Sequence, residues 1–174
     1  WDTIIPKKSK DEASMVNVSY EDQKTAPIVV ATLQGVEVIL APHLKANIRR
    51  LIRSGDYEKP EIEFGLANLQ PGDRVMEMGT GAGIVGSVFI KNIKDLKLQS
   101  FEANPDLIEH IRALYSHNGV DHSATVFNNL VVSGTGAPES IDFEVRDNFL
   151  GSRISDARTD ADARTVPIPT KHYD

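Results

Sequence analysis

Four glycines fall within residues 76–86, at Gly79, Gly81, Gly83 and Gly86, directly after a short apolar run. They are a third of the 12 glycines in a chain of 174 residues. A glycine turn between a strand and a helix lets the backbone approach a ligand closely, because no Cβ intervenes. The helix that follows aims its free N–H groups and its positive dipole end at that ligand. Gly79, Gly81 and Gly83 spell G-x-G-x-G, and Gly81, Gly83 and Gly86 spell G-x-G-x-x-G. Two ligands suit such a turn: the pyrophosphate of a dinucleotide, and the amino-acid end and ribose of S-adenosyl-L-methionine. A purely structural tight turn also accommodates the glycines.

Two carboxylates sharpen the choice. Glu77 stands at the carboxyl end of the preceding run. Beside a pyrophosphate its charge would be repelled; beside the ammonium and sulfonium of S-adenosylmethionine it would be attracted. That favours the methyl donor, unless Glu77 is simply paired to a nearby Arg or Lys. Glu102 ends the next apolar run. A carboxylate there can accept hydrogen bonds from two ribose hydroxyls, which suits either cofactor. A structural role at the start of the next helix is the alternative.

These residues need a scaffold, and the patterning predicts one. Residues 74–78, 96–102 and 124–133 read as strands, and 84–93 and 104–119 as helices. Pro105 suits the first turn of the latter, Asn104 its cap, and Gly119 its stop. Strand–helix–strand–helix–strand order predicts a parallel sheet with right-handed crossovers, half of a doubly wound α/β fold. Upstream, 28–33 and 36–40 flank Gln34-Gly35 as a β-hairpin. Leu44, Ile48, Leu51 and Ile52 mark one helix, and Ile62, Leu66 and Leu69 another over 60–69. Downstream, "IDFEVR" alternates like an antiparallel strand with one wet face. "SDARTDADAR" reads as a mobile loop, and "TVPIPT" as an extended run confined by its prolines to a sheet edge.

Composition sets the bounds. The apolar fraction of 40% and charged fraction of 25% are those of an ordinary globular protein. A net charge of −6 argues against a nucleic-acid or membrane binder. The basic clusters Lys7-Lys8-Ser9-Lys10 and Arg49-Arg50 with Arg53 read as solvated surface. Cysteine is absent, so disulfides and thiolate metal sites are excluded, and a cytoplasmic location is the expectation. No apolar run approaches a membrane span. His110 and His117 lie two turns apart on one helix, with His122 close behind. A metal site is conceivable there, though surface histidines are the plainer reading. By type, His43, His110, His117, His122 and His172 are candidates for a general base toward an oxygen acceptor; His172 and Tyr173 stand nearest in sequence to where the site should form, and Tyr57 could line the acceptor pocket or pack between the two N-terminal helices.

"PGDRVMEMGTGAGIVG" resembles motif I of class I S-adenosylmethionine-dependent methyltransferases. More narrowly, "GDYEKPEIEF", "FEANPDLIEHIRALYSHNG" with its E-x-N-P pattern, and "FNNLVVSGTG" followed by "FLGSRI" resemble the FkbM family. The likeness runs from about residue 50 to the end. Where many relatives have Asp-x-Gly-Ala-Asn in motif I, this chain has Glu-Met-Gly-Thr-Gly. The resemblance implies a Rossmann-like three-layer α/β sandwich and O-methylation of a small-molecule or sugar-containing acceptor. It places Glu77, Gly79, Thr80, Gly81 and Gly83 around the methionine moiety and ribose. Glu102 would hold the ribose hydroxyls with Ala103 and Asn104 beside it, and Asn129 and Leu130 would lie near the adenine.

The family's pattern would continue past residue 174 into a fourth core strand, and a start at Trp1 reads as a chain lacking its own beginning. The expected division is a polar extension over 1–25, a hairpin and helices over 26–70, and an incomplete cofactor domain over 71–174. Its first strand would be an open edge, which a second copy of the chain could cover. Two rival readings remain: an NAD(P)-dependent oxidoreductase domain using the same glycines, and a non-catalytic interaction module.

Overall fold

The structure is a computed structural model and describes residues 26–134, 136–155 and 163–173. The polar extension over 1–25 and most of the "SDARTDADAR" loop lie outside the described residues.

Among the described residues the first element is a hairpin of β1 (Val29–Leu33) and β2 (Val36–Ile39), turning on Gln34-Gly35 with both residues at positive φ. Two short helices follow, α1 (Ala46–Ser54) and α2 (Lys59–Asn68). Helix α1 buries Ile48 and Ile52 and stops at Gly55. Helix α2 carries Pro60 in its first turn, where a missing N–H costs nothing.

The centre follows the predicted order. Strand β3 (Arg74–Met78), helix α3 (Ile84–Asn92), strand β4 (Lys97–Phe101), helix α4 (Ile108–His117) and strand β5 (Ala124–Phe127) succeed one another. The three strands are parallel in the order β3-β4-β5, so the chain adopts the mixed α/β, partial Rossmann-like fold expected of it. Alternation along the strands assigns the faces. Leu98 and Ser100 are buried with α3 and α4, whose core includes Ile84, Val88, Ile111, Leu114 and Tyr115. Met76 and Met78 are exposed at 41% and 66%, and β3 is an edge strand among the described residues. On that second face Phe101 stacks on Phe127 and meets the edge of Tyr173, whose hydroxyl donates to Gln99 at 2.8 Å.

The hairpin is tied to the far end of α4 by a side chain. Asn118 Oδ1 accepts the Glu37 N–H at 2.9 Å, and its Nδ2 donates back to the Glu37 carbonyl at 3.0 Å. His117 Nε2 lies 2.9 Å from the Glu37 carboxylate.

Two expectations need correction. The run 124–133 is two strands, because the chain leaves the parallel sheet after Phe127. Asn128 spends its amide on the carbonyls of Glu102 and Ala103 (2.9 and 3.0 Å), and the chain resumes as β6 (Leu130–Val132) in a second sheet. That sheet also holds β7 (Ser140–Val145), β8 (Arg153–Ile154) and β9 (Arg164–His172), in the order β6-β9-β7-β8. The proline run is therefore in a central strand. Its prolines are tolerated because Pro167 and Pro169 pair only with β7, and the partnership with β6 begins at Thr170. The "IDFEVR" strand is antiparallel to both its neighbours, as its alternation predicts. A small separate core of Ala103, Phe143, Val145 and Ile168 joins this sheet to the end of β4.

Candidate functional site

The glycine loop sits at the carboxyl end of β3, bonded to the end of β4. Gly79 N–H and Thr80 N–H both donate to the Phe101 carbonyl, at 2.8 and 3.1 Å, and the Thr80 hydroxyl reaches the same oxygen at 3.3 Å. Gly79, Gly81 and Gly83 all have φ between +58° and +78°, a region that side-chain-bearing residues enter at a cost. At Gly86 the reason for glycine is proximity. A Cβ there would meet Leu98, the Tyr115 hydroxyl and the Glu77 carboxyl at 2.5–2.9 Å, so α3 could not lie this close to the sheet.

Glu102 closes the arrangement. It is buried at 6% exposure, and its two oxygens accept from the N–H of Gly81 and of Asn104, each at 2.7 Å. Burial lifts its carboxyl above the ordinary range, against the pull of the Asn104, Gly81 and Ala103 N–H groups. Each oxygen retains a further lone-pair site for a ligand hydroxyl.

Beyond the loop opens a cleft of about 430 Å³. Gly79, Gly81, Glu102, Ala103, Asn129 and Leu130 line it, six of the ten residues anticipated from the sequence. The other four stand behind. Thr80 holds the loop, Gly83 caps α3 and Asn104 caps the turn before α4 by accepting from Asp106 N–H at 3.0 Å. Glu77 points its carboxyl away from the cleft to the helix side. There it accepts from Ser100 at 3.1 Å and from Thr80 and the Gly86 N–H, with Ser100 in turn 2.8 Å from the Tyr115 hydroxyl. Burial pushes Glu77 up to about 7.

Sequence reasoning missed the cleft's apolar wall. Phe149 and Leu150, in the 3-10 turn Phe149–Gly151, join Met78, Phe101 and Phe143 there. A Cβ on Gly81 would lie 3.3 Å from the Phe149 ring. The signal was "FLGSRI", read only as part of a resemblance. Tyr57 is buried on the helix side rather than in the cleft, its phenol lifted by burial and by Glu58, Glu77 and Glu102. His110, His117 and His122 do not converge; among the described residues no group of three or more His, Asp or Glu side chains could hold a metal. Nor is any helix there long and apolar enough to cross a membrane.

No protein-family model matches the chain, and no curated protein matches it. Solved structures similar to parts of it include a precorrin-6y C5,15-methyltransferase of Geobacter metallireducens GS-15, at 16% identity over 47% of this chain and 50% of that one, TM-score 0.37. A SAM-dependent methyltransferase of Geobacter sulfurreducens, solved with S-adenosyl-L-homocysteine, is 15% identical over 45% of this chain and 36% of that one, TM-score 0.35. StiE O-MT, residues 961-1257, is 16% identical over 53% and 37% respectively, TM-score 0.39. The matched region spans half or less of each of these chains.

Proposed function

We propose that the glycine cleft binds S-adenosylmethionine and that the chain serves an FkbM-like methyltransferase acting on a hydroxyl oxygen of a small-molecule or sugar-containing acceptor. The observation that carries the reading is Glu102, drawn onto the Gly81 loop at the carboxyl end of a parallel sheet with lone pairs left for a ribose. The cleft fits the cofactor on its own chemistry. Gly81 leaves room that a Cβ would take, Glu102 offers the hydroxyl acceptors, and Phe101, Leu130, Phe143 and Leu150 offer an apolar bed for a purine. The bound cofactor supplies an electrophilic sulfonium methyl group. The chain's residues would orient it: Glu102, itself held by the Gly81 and Asn104 N–H groups, would fix the ribose, the Cβ-free glycines would let the amino-acid end lie close, and the apolar wall would exclude water. Glu102 is the only ionisable side chain lining this cleft among the described residues, so its contribution to methyl transfer is proximity and orientation. The acceptor class and the oxygen rest on the sequence resemblance.

One observation favours a second reading, a nicotinamide dinucleotide. With the Glu77 carboxyl turned to the helix side, its repulsion of a pyrophosphate is weaker than its place in the sequence suggests. Gly86 also allows the close helix–sheet approach that the third glycine of a dinucleotide turn provides. Calorimetric titration with S-adenosylhomocysteine and, in parallel, with NADH decides between them. Micromolar binding of the first alone is expected. Preference for NADH overturns the methyl-transfer reading, and binding of neither leaves the chain an interaction module.

A further inference from the structure

A second cleft, of about 280 Å³, lies on the other side of Phe149. Its walls come from four separated segments, chiefly His43, Lys45, His110, Arg146, Asp147 and Arg164. The His43 ring sits between His110 and Phe149, with centroids 5.2 and 5.3 Å away. Its Nδ1 is buried and has no hydrogen-bond partner among the described residues. A buried ring nitrogen without a protein partner is uncommon in a native fold, and a water or a ligand group completes such bonding.

The surrounding charges say what that is. Arg164 Nη2 holds both oxygens of Asp106 at 2.7 Å, so the two charges offset each other and the rest of the guanidinium fork is left to offer N–H groups. The ammonium of Lys45 has no ion pair among the described residues. The turn that opens α4, from Asn104 through Leu107, lines the same cleft and presents the positive end of that helix. Arg146 faces the cleft while bonded to the wholly buried Glu144 at 2.9 Å. Against these stands Asp147. Three cations and two carboxylates therefore line the cleft, with Lys45 the cation outside the Arg146–Glu144 and Arg164–Asp106 pairs.

We propose that this cleft binds an oxyanion, a carboxylate or phosphate group on a small acidic molecule, through Lys45, Arg164 and the His43–His110 pair. On the methyl-transfer reading, on which this role depends, the site holds the acidic end of the acceptor with Phe149 as the wall it shares with the cofactor. Burial, then His110 and Lys45, press His43 down to about 4 in the free protein, so a bound anion acts directly on its titration.

The test follows the His43 ring by NMR over a pH series, without added anion, in inorganic phosphate, and in succinate. The expected result is a saturable rise of the His43 midpoint by at least a pH unit with one of the two anions. Response to phosphate alone assigns a phosphorylated ligand, and response to succinate alone a carboxylic acid. Lys45→Ala should weaken that response about tenfold and Arg164→Ala similarly, each more so at low salt. No midpoint change at tens of millimolar of either anion overturns the proposal, as does a change that survives both substitutions. Binding of S-adenosylhomocysteine to Lys45→Ala, measured separately, should be unaltered. Its failure in the wild type as well would remove the cofactor reading while leaving the anion site standing or falling on the NMR result.

Discussion

Two clefts meet at one phenylalanine, and they are made in opposite ways. The polar side of the glycine cleft is built mainly from backbone, a loop of neighbouring residues and the ends of parallel strands with one carboxylate that bonds the loop itself, and it faces an apolar wall of side chains. The histidine cleft is built from ionisable side chains brought together from residues 42–45, 104–110, 145–149 and 164. The loop of the first depends on local geometry that a few residues in a row can dictate. The second depends on how distant segments pack. A backbone site resists change at most positions and fails abruptly at a few, whereas a side-chain site can be tuned one charge at a time.

That contrast can be tested by substitution. The largest effect is expected behind the glycine loop, on the helix side of the sheet. Glu77 holds a proton in the folded state up to about 7, where a free carboxyl has lost it above about 4.5. The folded protein then binds more protons than the unfolded one across that window, so stability is full below it and declines as pH rises through it. The loss amounts to roughly 3 kcal/mol. Denaturant titration at several pH values should show Glu77→Gln lacking this decline relative to the wild type; an identical slope would mean that Glu77 is not buried as described. Next comes Glu102→Ala, which frees the Gly81 and Asn104 N–H groups and removes the hydroxyl acceptors. Affinity for S-adenosylhomocysteine should fall about a hundredfold by calorimetry, in keeping with two hydrogen bonds to a charged group. A smaller change places the ribose elsewhere. The smallest effect is expected at Gly81→Ala, with a methyl at φ +58° pressed against Phe149. A cost of roughly 1–2 kcal/mol in stability is expected from thermal unfolding; no cost would show that the loop relaxes freely.

The same contrast explains what the sequence could disclose. The glycine turn, the strand–helix alternation and Glu102 were legible because each depends on residues close together in the chain. The face taken by Glu77 was legible too, but was argued from charge. Strand alternation puts it on the side of Val75, towards the helices, where the structure has it. The break at Asn128 was hidden in an apolar run, because what interrupts it is a pair of carbonyls on β4's far end rather than a turn residue. The prolines of β9 gave a sound local rule, which holds for the half of the strand that bears them and not for the half beyond. His43 and His110 stand 67 positions apart, and no periodicity links them.

Asn118 deserves a place in the history of the chain as it folds. A two-stranded hairpin is marginal by itself in water. Here its second strand is held through an amide that mimics a neighbouring peptide, 81 residues away in sequence. Closing so long a segment costs entropy before any contact rewards it. The first hairpin among the described residues is thus among the last elements that can become permanent, because its clasp exists only once α4 has settled on the sheet.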